Sequence, residues 1–490
     1  MKRGFSANDD SYLSESELLE IRQILARLNI DSISWLEGLA TFSGGALLAK
    51  ILYKLEKPDL LLMCRASKAI FNVCQKYQML ERLDTSAVFM FGNGEDGRLG
   101  DGNTTNHDIG IPRKIQNIPN VVSVSCGYDH TGIVTVDGDV YMFGNGIYGV
   151  LGDNDTSDHS VEIPKKIQGI PKAVAVSCGS EHTGILTVDG EVYMLGHGHF
   201  GTLGNGDTSD HSVGIPTKIE NIPKVLVLSC GFLHTGIVTI DGDVCMFGDG
   251  PYGVLGDNDT SDHSVGIPTK IQNIPKATTI SCGNTHSGIV TVDGDVYMFG
   301  KGTYGVLGDG DTRPHDIDIP TKILHIPKIA SISCGDLHTG ILTVDGNVYM
   351  FGRGYFGRLG DGDTSDHNIG IPKKIQNIPK ALVLSCGFIH TSIITVHGDV
   401  YMFGKGDYGN LGDDDITDHN RGLPTKIENI PKIVAVSCGS FHVGIVSIPE
   451  SALNLTISCQ VCNTNEAQYY SVHRQQPAVF CSRECQMQYY

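Results

Sequence analysis

The sequence predicts a mainly β chain. Its central part forms a seven-bladed β-propeller, with a small N-terminal α-helical module before it and a short C-terminal segment after it. A 52-residue unit recurs seven times over the 364 residues from Ser86 to Pro449, without insertions. Each unit contains four short β-type runs separated by turn residues. Such a repeat is typical of a propeller blade.

The strands can be located within one unit. The runs Val121–Ser125 and His130–Val136 are apolar and rich in β-branched residues, which favours strands. An Asp-Gly pair then predicts a two-residue hairpin before a third strand at Val140–Phe143. The fourth run, Ile163–Ile167, contains a proline, which a sheet tolerates at its edge.

The limits of the repeats predict that the ring closes. The first unit begins late, at Val88–Phe91, and has no partner strands before it. The last unit ends early, at His442–Ser447, and has no third strand after it. The two fragments together make one complete blade, and pairing them removes the open sheet edges that promote aggregation.

Composition narrows the classes of function. The formal net charge of −19 opposes binding to phosphate backbones and acidic membranes, so we expect no direct binding to nucleic acid or to a membrane. The most apolar stretch, Ala46–Met63, is interrupted by charges and is not a membrane span. Seven of the 14 cysteines recur once per repeat and are expected to be small buried residues. We therefore expect an intracellular protein, cytoplasmic or nuclear, and a monomer.

Several steps of the repeat resemble a known family, the regulator of chromosome condensation repeats. The matching steps are Gly127-x-x-His130-Thr131, Val136-Asp137-Gly138, Phe143-Gly144 and Gly149-x-Leu151-Gly152. The resemblance implies a seven-bladed propeller. Family members act as a Ran-type guanine-nucleotide exchange factor on chromatin, as a plant ultraviolet photoreceptor, and as recognition modules in ubiquitin ligases.

Two departures from that family narrow the choice. Tryptophan clusters carry the photoreceptor's chemistry, and the single tryptophan here, Trp35, lies outside the propeller. The exchange factor inserts a wedge segment against its GTPase, whereas all repeats here have the same length. The photoreceptor function is therefore excluded, and exchange is the alternative to a recognition role.

The N-terminal region is predicted to be helical. Residues 1–42 form an extension in which Ser14-x-x-Glu17 is typical of a capping box. Residues 43–85 resemble an F-box, with Ile51, Leu52 and Leu55 on one helix face. The resemblance implies docking on the Skp-type adaptor of cullin ubiquitin ligases. The alternative is a plain helical cap covering one end of the propeller.

Residues 450–490 contain a cysteine quartet with the spacing of a four-thiolate Zn²⁺ site: Cys459, Cys462, Cys481 and Cys485. Four protein thiolates leave no open position, so the zinc would be structural. The step Phe480-Cys481-Ser482 resembles MYM and TRASH zinc fingers. The alternative is four thiols without a metal.

Two rings of histidines recur at the repeat spacing. The first runs from His130 to His442, and its recurrence in each blade indicates a structural hydrogen bond rather than seven active sites. The second runs from His107 to His419 beside Asp-rich turns, where capping is favoured over metal binding. With no phosphate-binding loop or nucleophile elbow in the sequence, we expect no enzyme activity.

The repeats are nearly identical, so the positions at which they differ are informative. They differ most in the pair after Cys-Gly and around the turn after the third strand. In an antiparallel blade these loops emerge at the same end, so we expect a protein-binding face there. The alternative is neutral variation of exposed loops. The candidate partner-binding residues are Tyr128, Asp129, Glu181, His199, Phe232, Leu233, Asp336, Tyr355, Phe388 and Phe441.

These observations together predict a non-enzymatic interaction protein. The favoured function is a substrate-recognition or adaptor subunit, an F-box-like ubiquitin-ligase receptor. The alternatives are a guanine-nucleotide exchange factor for a Ran-like small GTPase and a purely structural scaffold.

Overall fold

The computed structural model describes residues 86–447 and the backbone of two further strands, Tyr469–His473 and Gln476–Phe480. Within residues 86–447 the chain forms seven four-stranded antiparallel sheets, the blades of a propeller. Blade 1 contains β3 Val121–Cys126, β4 His130–Thr135, β5 Val140–Asn145 and β6 Ser160–Lys166; blade 2 contains β7 Ala173–Cys178, β8 His182–Thr187, β9 Val192–His197 and β10 Ser212–Lys218; and blade 3 contains β11 Val225–Cys230, β12 His234–Thr239, β13 Val244–Asp249 and β14 Ser264–Lys270. Blade 4 contains β15 Ala277–Cys282, β16 His286–Thr291, β17 Val296–Lys301 and β18 Asp316–Lys322; blade 5 contains β19 Ile329–Cys334, β20 His338–Thr343, β21 Val348–Arg353 and β22 Asn368–Lys374; and blade 6 contains β23 Ala381–Cys386, β24 His390–Thr395, β25 Val400–Lys405 and β26 Asn420–Lys426. Blade 7 contains β27 Ile433–Cys438, β28 His442–Ser447, β1 Ala87–Asn93 and β2 Asp108–Lys114, and the strands outside the blades are β29 Tyr469–His473 and β30 Gln476–Phe480.

The predicted strands are confirmed, but two of their boundaries were wrong by more than one residue. The third strand of blade 1 continues to Asn145, and the outer strand begins at Ser160 rather than Ile163. The register between β5 and β6 shifts between Met142 and Gly144, which leaves the segment with Pro164 out of the ladder. The proline therefore lies within a bulge of the edge strand instead of ending it.

Gly144 makes this bulge possible. It lies at a φ of +109°, and a Cβ there would lie 2.5 Å from the carbonyl oxygen of Asp129. A short 3₁₀ turn that the sequence analysis did not predict follows it in each blade. These turns are Glu95–Gly97, Ile147–Gly149, His199–Gly201, Pro251–Gly253, Thr303–Gly305, Tyr355–Gly357 and Asp407–Gly409.

The predicted closure of the ring is confirmed. Strand β1 pairs with β28 in continuous antiparallel register, from Ala87 opposite Ser447 to Gly92 opposite His442. Blade 7 therefore takes two strands from each end of the propeller sequence. Ala87 and Ser447 lie at the same end of the blade as the Asp-Gly hairpins, so the chain enters and leaves the propeller there.

The hydrophobic core lies between neighbouring blades. Phe143 and its counterparts are fully buried, and the ring of Phe143 lies so close to Gly100, in the turn of the preceding blade, that a Cβ there would be 2.9 Å from it. The repeat cysteines are buried as predicted, each 6–9% exposed. None of the helices in the described residues is long and apolar enough to cross a membrane.

Two rings of hydrogen bonds join the innermost strands. The backbone N–H of Tyr128 donates to the carbonyl oxygen of Gly179 in the next blade, and the seven equivalent bonds across residues 127–440 measure 3.1–3.3 Å. The N–H of each repeat cysteine also donates to a serine Oγ of the neighbouring blade at 2.9–3.0 Å, as Cys178 does to Ser125. Each blade is therefore fixed to both neighbours around the axis.

The first histidine ring has the structural role predicted for it. Nε2 of His130 lies 2.9 Å from the Thr183 hydroxyl of the next blade. That hydroxyl donates its hydrogen to the carbonyl of Val150, so the imidazole donates from Nε2. Burial lowers the pKa of His130 to about 3, consistent with a neutral ring.

The histidine ring is broken at one place among the described blades. His390 faces Val443, which stands where the other blades have threonine or serine. Both ring nitrogens of His390 are buried without a hydrogen-bond partner. A buried unpaired donor destabilises the folded state by about 1–3 kcal/mol.

We expect Val443→Thr to stabilise the protein by about 1 kcal/mol, because the new hydroxyl would accept the Nε2 hydrogen of His390. The matched control is Thr339→Val, which removes the hydroxyl facing His286 and should destabilise by a similar amount. Urea unfolding of both variants measures the difference. Equal or lower stability of Val443→Thr would contradict the prediction.

Candidate protein-interaction face

The two variable loops of each blade meet at one end of the propeller, as predicted. The N–H of Asn145, at the end of β5, donates to the carbonyl of Asp129 in the β3–β4 loop at 2.9 Å. We call this end the loop face. It consists, in each blade, of the pair of residues after Cys-Gly and of the turn after the third strand, which is residues 145–150 in blade 1. The opposite end, with the Asp-Gly turns, is the hairpin face.

The ten predicted partner-binding residues all lie in these loops. Tyr128 and Phe232 are exposed, at 37% and 38%, and the others are partly buried. Asp336 is nearly buried, with 9% of its side chain exposed. It accepts a hydrogen bond from Asn284.

Three of the predicted residues form part of an aromatic cluster. The ring of Phe441 lies 5.8 Å from that of Phe388, 6.2 Å from that of Tyr128 and 5.9 Å from that of Tyr408. These four residues, the aromatic cluster, span blades 6, 7 and 1. Phe232 lies apart from them on blade 3. The sequence analysis missed Tyr408, because its position is aromatic in almost every repeat and so did not register as variable.

The position of Tyr408 has an unusual backbone. In each described blade, the middle residue of the 3₁₀ turn has a φ between 58° and 68°, and it is aromatic in six of the seven. Bulky residues in this region are strained. Four rings stack on a side chain of the next blade: Tyr148 on His197 at 4.2 Å, Tyr252 under Lys301 at 4.3 Å, Tyr304 under Arg353 at 4.9 Å and Phe356 under Lys405 at 5.2 Å.

One sector of the loop face is acidic. The buried guanidinium of Arg98 lies 2.7 Å from Asp129, 3.8 Å from Asp96 and 3.9 Å from Glu95. Burial raises the pKa of Asp129, with Arg98 acting against it and the other two carboxylates adding to it. One arginine thus faces three carboxylates, which leaves a surplus of negative charge beside Tyr128. Sequence comparison of the repeats did not single out Arg98.

Another sector carries cations. Arg353 makes a bidentate ion pair with Asp366, in which both N–O distances are 2.9 Å. Arg358 lies beneath it, donating to the carbonyls of Tyr355 at 3.0 Å and Phe388 at 3.2 Å. Burial lowers the pKa of Arg358 to about 10. Its contacts hold the turn of blade 5 against the aromatic cluster.

The predicted Glu181 and His199 belong to a histidine sector on blade 2. The two ring nitrogens of His197 lie 2.8 Å from Glu181 and 2.8 Å from Asp210. Burial alone would lower the pKa of His197, but the hydrogen bonds to both carboxylates outweigh it and raise the pKa. His199 lies next to it, with ring centroids 5.5 Å apart.

The outer Asp-rich turns have the capping role predicted for them. Nδ1 of His159 bonds the carbonyl of Ser157 at 2.9 Å, and Nε2 lies 3.2 Å from Asp153. Asp155 accepts from the backbone and hydroxyl of Ser157. In the part of the chain that is described, no group of three or more His, Cys, Asp or Glu side chains is arranged to hold a metal ion.

We expect Arg98→Val to destabilise the protein by about 2 kcal/mol, because it leaves Asp129 partly buried beside two other carboxylates. The double variant Arg98→Val/Asp129→Thr should recover most of that loss. It recreates the Val254 and Thr285 pair that blades 3 and 4 carry at the same positions. Urea unfolding of the unsubstituted chain, the double variant and both single variants, Arg98→Val and Asp129→Thr, gives the coupling energy. A double variant less stable than the single one would contradict the ion-pair interpretation.

Several curated relatives match the propeller region. The chain is 34% identical over 342 residues to the ultraviolet-B receptor UVR8 of Arabidopsis thaliana, covering 69% of this chain and 77% of that protein. It is 34% identical over 384 residues to the mouse X-linked retinitis pigmentosa GTPase regulator, covering 75% of this chain and 36% of that protein. It is also 30% identical over 372 residues to the human E3 ubiquitin-protein ligase HERC2, covering 73% of this chain and 8% of that protein.

Solved structures share the fold at lower identity. Human WBSCR16 matches with a TM-score of 0.66 and 20% identity, covering 74% of this chain and 99% of that one. Prp20p from Saccharomyces cerevisiae matches with a TM-score of 0.66 and 22% identity, covering 76% of this chain and 96% of that one.

The family resemblance predicted from the repeat is confirmed. The predicted F-box-like module and the zinc-binding cysteines lie outside the residues whose side chains the structure describes. The model of the RCC1-like domain matches residues 64–445. With most of its length matched and a 34% identical relative covered over 77% of that relative's length, this chain belongs to the RCC1-like domain family.

Proposed function

We propose that this chain is a non-enzymatic interaction protein that presents its loop face to a protein partner. The observation that carries the proposal is the location of the differences between repeats. The repeats are nearly identical, yet their variable residues collect on the loop face. The chain enters and leaves the propeller at the hairpin face, so the flanking segments do not start beside the loop face.

The chemistry of the loop face supports a protein partner. Exposed aromatic side chains and arginines are enriched at the energetic centres of protein interfaces, and the face carries Tyr128, Phe232 and Arg353. The inter-blade hydrogen bonds hold the loops on a rigid ring, which reduces the entropy lost on binding. The names of the relatives describe a receptor, a GTPase regulator and a ubiquitin ligase.

The finer proposal is a substrate receptor of a ubiquitin ligase. In it, residues 43–85 bind a Skp-type adaptor and the loop face binds the protein to be modified. It is supported by the F-box resemblance of residues 43–85. Entry of the chain at the hairpin face also supports it, because an adaptor-binding module would then join the propeller at the end opposite the substrate.

A second candidate is guanine-nucleotide exchange on a Ran-like small GTPase. The acidic sector favours it, since exchange would need carboxylates near the metal and phosphates of the nucleotide, and Glu95, Asp96 and Asp129 lie together around Arg98. Prp20p, which shares the fold, is described as binding Gsp1p and histones. Against it, the described blades have equal loop lengths and show no wedge.

We expect the chain to retain a partner from cell extract through its loop face, and a Skp-type adaptor with a cullin through residues 43–85. Affinity purification with mass spectrometry should lose the partner, but not the adaptor, when Asn284-Thr285 replaces the pairs Phe232-Leu233, Phe388-Ile389 and Ser440-Phe441. Deleting residues 43–85 should have the opposite effect.

The control is Lys172→Ala/Lys276→Ala on the hairpin face, which should retain both, and thermal unfolding checks that each variant folds. Unchanged partner retention by the grafted variant would refute the loop-face proposal. A small GTPase retained only in the absence of nucleotide would favour the second candidate.

We also propose that the four C-terminal cysteines bind one structural Zn²⁺. Four thiolates suit tetrahedral zinc. Strands β29 and β30 form an antiparallel hairpin between the two cysteine pairs, a spacing typical of a zinc knuckle. A tail this short has little core of its own, so the metal would provide folding free energy.

We expect the purified chain to contain about one zinc ion, measured by inductively coupled plasma mass spectrometry. The variant Cys459→Ser/Cys462→Ser should lose it. The control Cys245→Ser alters a buried cysteine of blade 3 and should keep it. Zinc content that is unaffected by the Cys459 and Cys462 substitutions would exclude this site.

A further inference from the structure

The charges of the loop face are segregated. In blades 7, 1, 2 and 3, the pairs after Cys-Gly and the turns carry five carboxylates against one arginine, Arg98. The same positions of blades 4, 5 and 6 carry four cations against two carboxylates. The acidic arc is Glu95, Asp96, Asp129, Glu181 and Asp249, and the cationic arc is Lys301, Arg353, Arg358 and Lys405.

The cationic arc is built in a repeated way. Lys301, Arg353 and Lys405 occupy the same position in adjacent blades, and each lies over the aromatic ring that the preceding blade holds at positive φ. Such stacking stabilises a cation without neutralising it. Arg353 is also ion-paired with Asp366, and Lys405 with Asp407. Among the described residues, Lys301 has no carboxylate within ion-pair distance, so of the three its charge is the most available to a partner.

The aromatic cluster lies between the two arcs. Phe388 and Tyr408 come from blade 6, beside the cation of Lys405. Tyr128 comes from blade 1, beside the carboxylates around Arg98. A line across the loop face therefore meets positive charge, then the rings of the aromatic cluster, then negative charge.

We propose that the partner protein docks through a segment of complementary order, with acidic residues over the cationic arc, an apolar side chain on the aromatic cluster and basic residues over the acidic arc. The inference rests on the proposed function, and it adds the chemistry and the direction of the bound segment.

The near-identity of the repeats gives a reason for this arrangement. A ring of seven equal blades offers a partner seven rotational registers of similar energy. Segregated charges make one register attractive, and they place like charges together in the opposite one. The arcs therefore specify orientation, whereas the aromatic cluster provides most of the apolar contact area.

The test is selection of a 16-residue random peptide library, displayed on phage, against the immobilised full chain. We expect enriched peptides to carry an acidic block, an apolar or aromatic residue and a basic block. In fluorescence anisotropy, a synthetic peptide of this order should bind about tenfold more tightly than a peptide of equal composition with its charges alternating.

Charge reversal gives the sharper test. Lys301→Glu/Lys405→Glu should weaken binding of that peptide about tenfold, and replacing the peptide's acidic block with lysines should restore it. The matched control is Lys172→Glu/Lys276→Glu on the hairpin face, which changes the net charge equally and should leave the affinity unchanged. The thermal midpoints of both variants confirm folding.

Three results would overturn the inference: no enrichment, enrichment of aromatic residues without charge order, or a dimer in light scattering that loop-face substitutions dissociate. The last would make a second copy of this chain the occupant. Partner loss by the grafted loop-face variant in affinity purification is a separate readout. If that loss occurs without charge order in the selected peptides, only this inference fails and the proposed function stands.

Discussion

The pairing of β1 with β28 is the contact on which the rest of the propeller depends. It joins residues separated by 360 positions in the chain, from Ala87 to Ser447. Without it, blade 7 would be two separate hairpins with open edges, and the rings of inter-blade hydrogen bonds would have two free ends. Because the ring is closed, each loop is held between two neighbours. The loop face is therefore a rigid surface rather than a set of independent loops.

Closure also explains which residues are constant between repeats. The histidine, the cysteine and several glycines of each unit contact a neighbouring blade, so each must fit both its own blade and its neighbour. Gly127 illustrates this steric constraint, since a Cβ there would lie 2.5 Å from the carbonyl oxygen of Gly179 in the next blade. Val443 in blade 7 stands where the other blades have threonine or serine, and His390 therefore has no hydrogen-bond partner.

Local strain and surface chemistry are connected at the 3₁₀ turns. Aromatic residues such as Tyr252 are held at positive φ, a conformation that bulky side chains rarely adopt. Four of the six rings lie against a side chain of the following blade. The variable positions thus acquire a defined geometry, which turns a difference in sequence into a difference in surface charge.

The sequence by itself determined the number of blades, the strands of each blade, the closure and the end at which the variable loops meet. These follow from a fixed repeat length and from the alternation of strands and tight turns, which are local properties of the chain. It also indicated that the repeated histidines are structural, as the bond between His130 and Thr183 shows. Only the tertiary structure decided which loop residues touch. The cluster around Phe441 and the burial of Arg98 beside Asp129 join residues hundreds or tens of positions apart. Such contacts depend on the distance between blades and on the direction of each turn, which no repeat pattern contains.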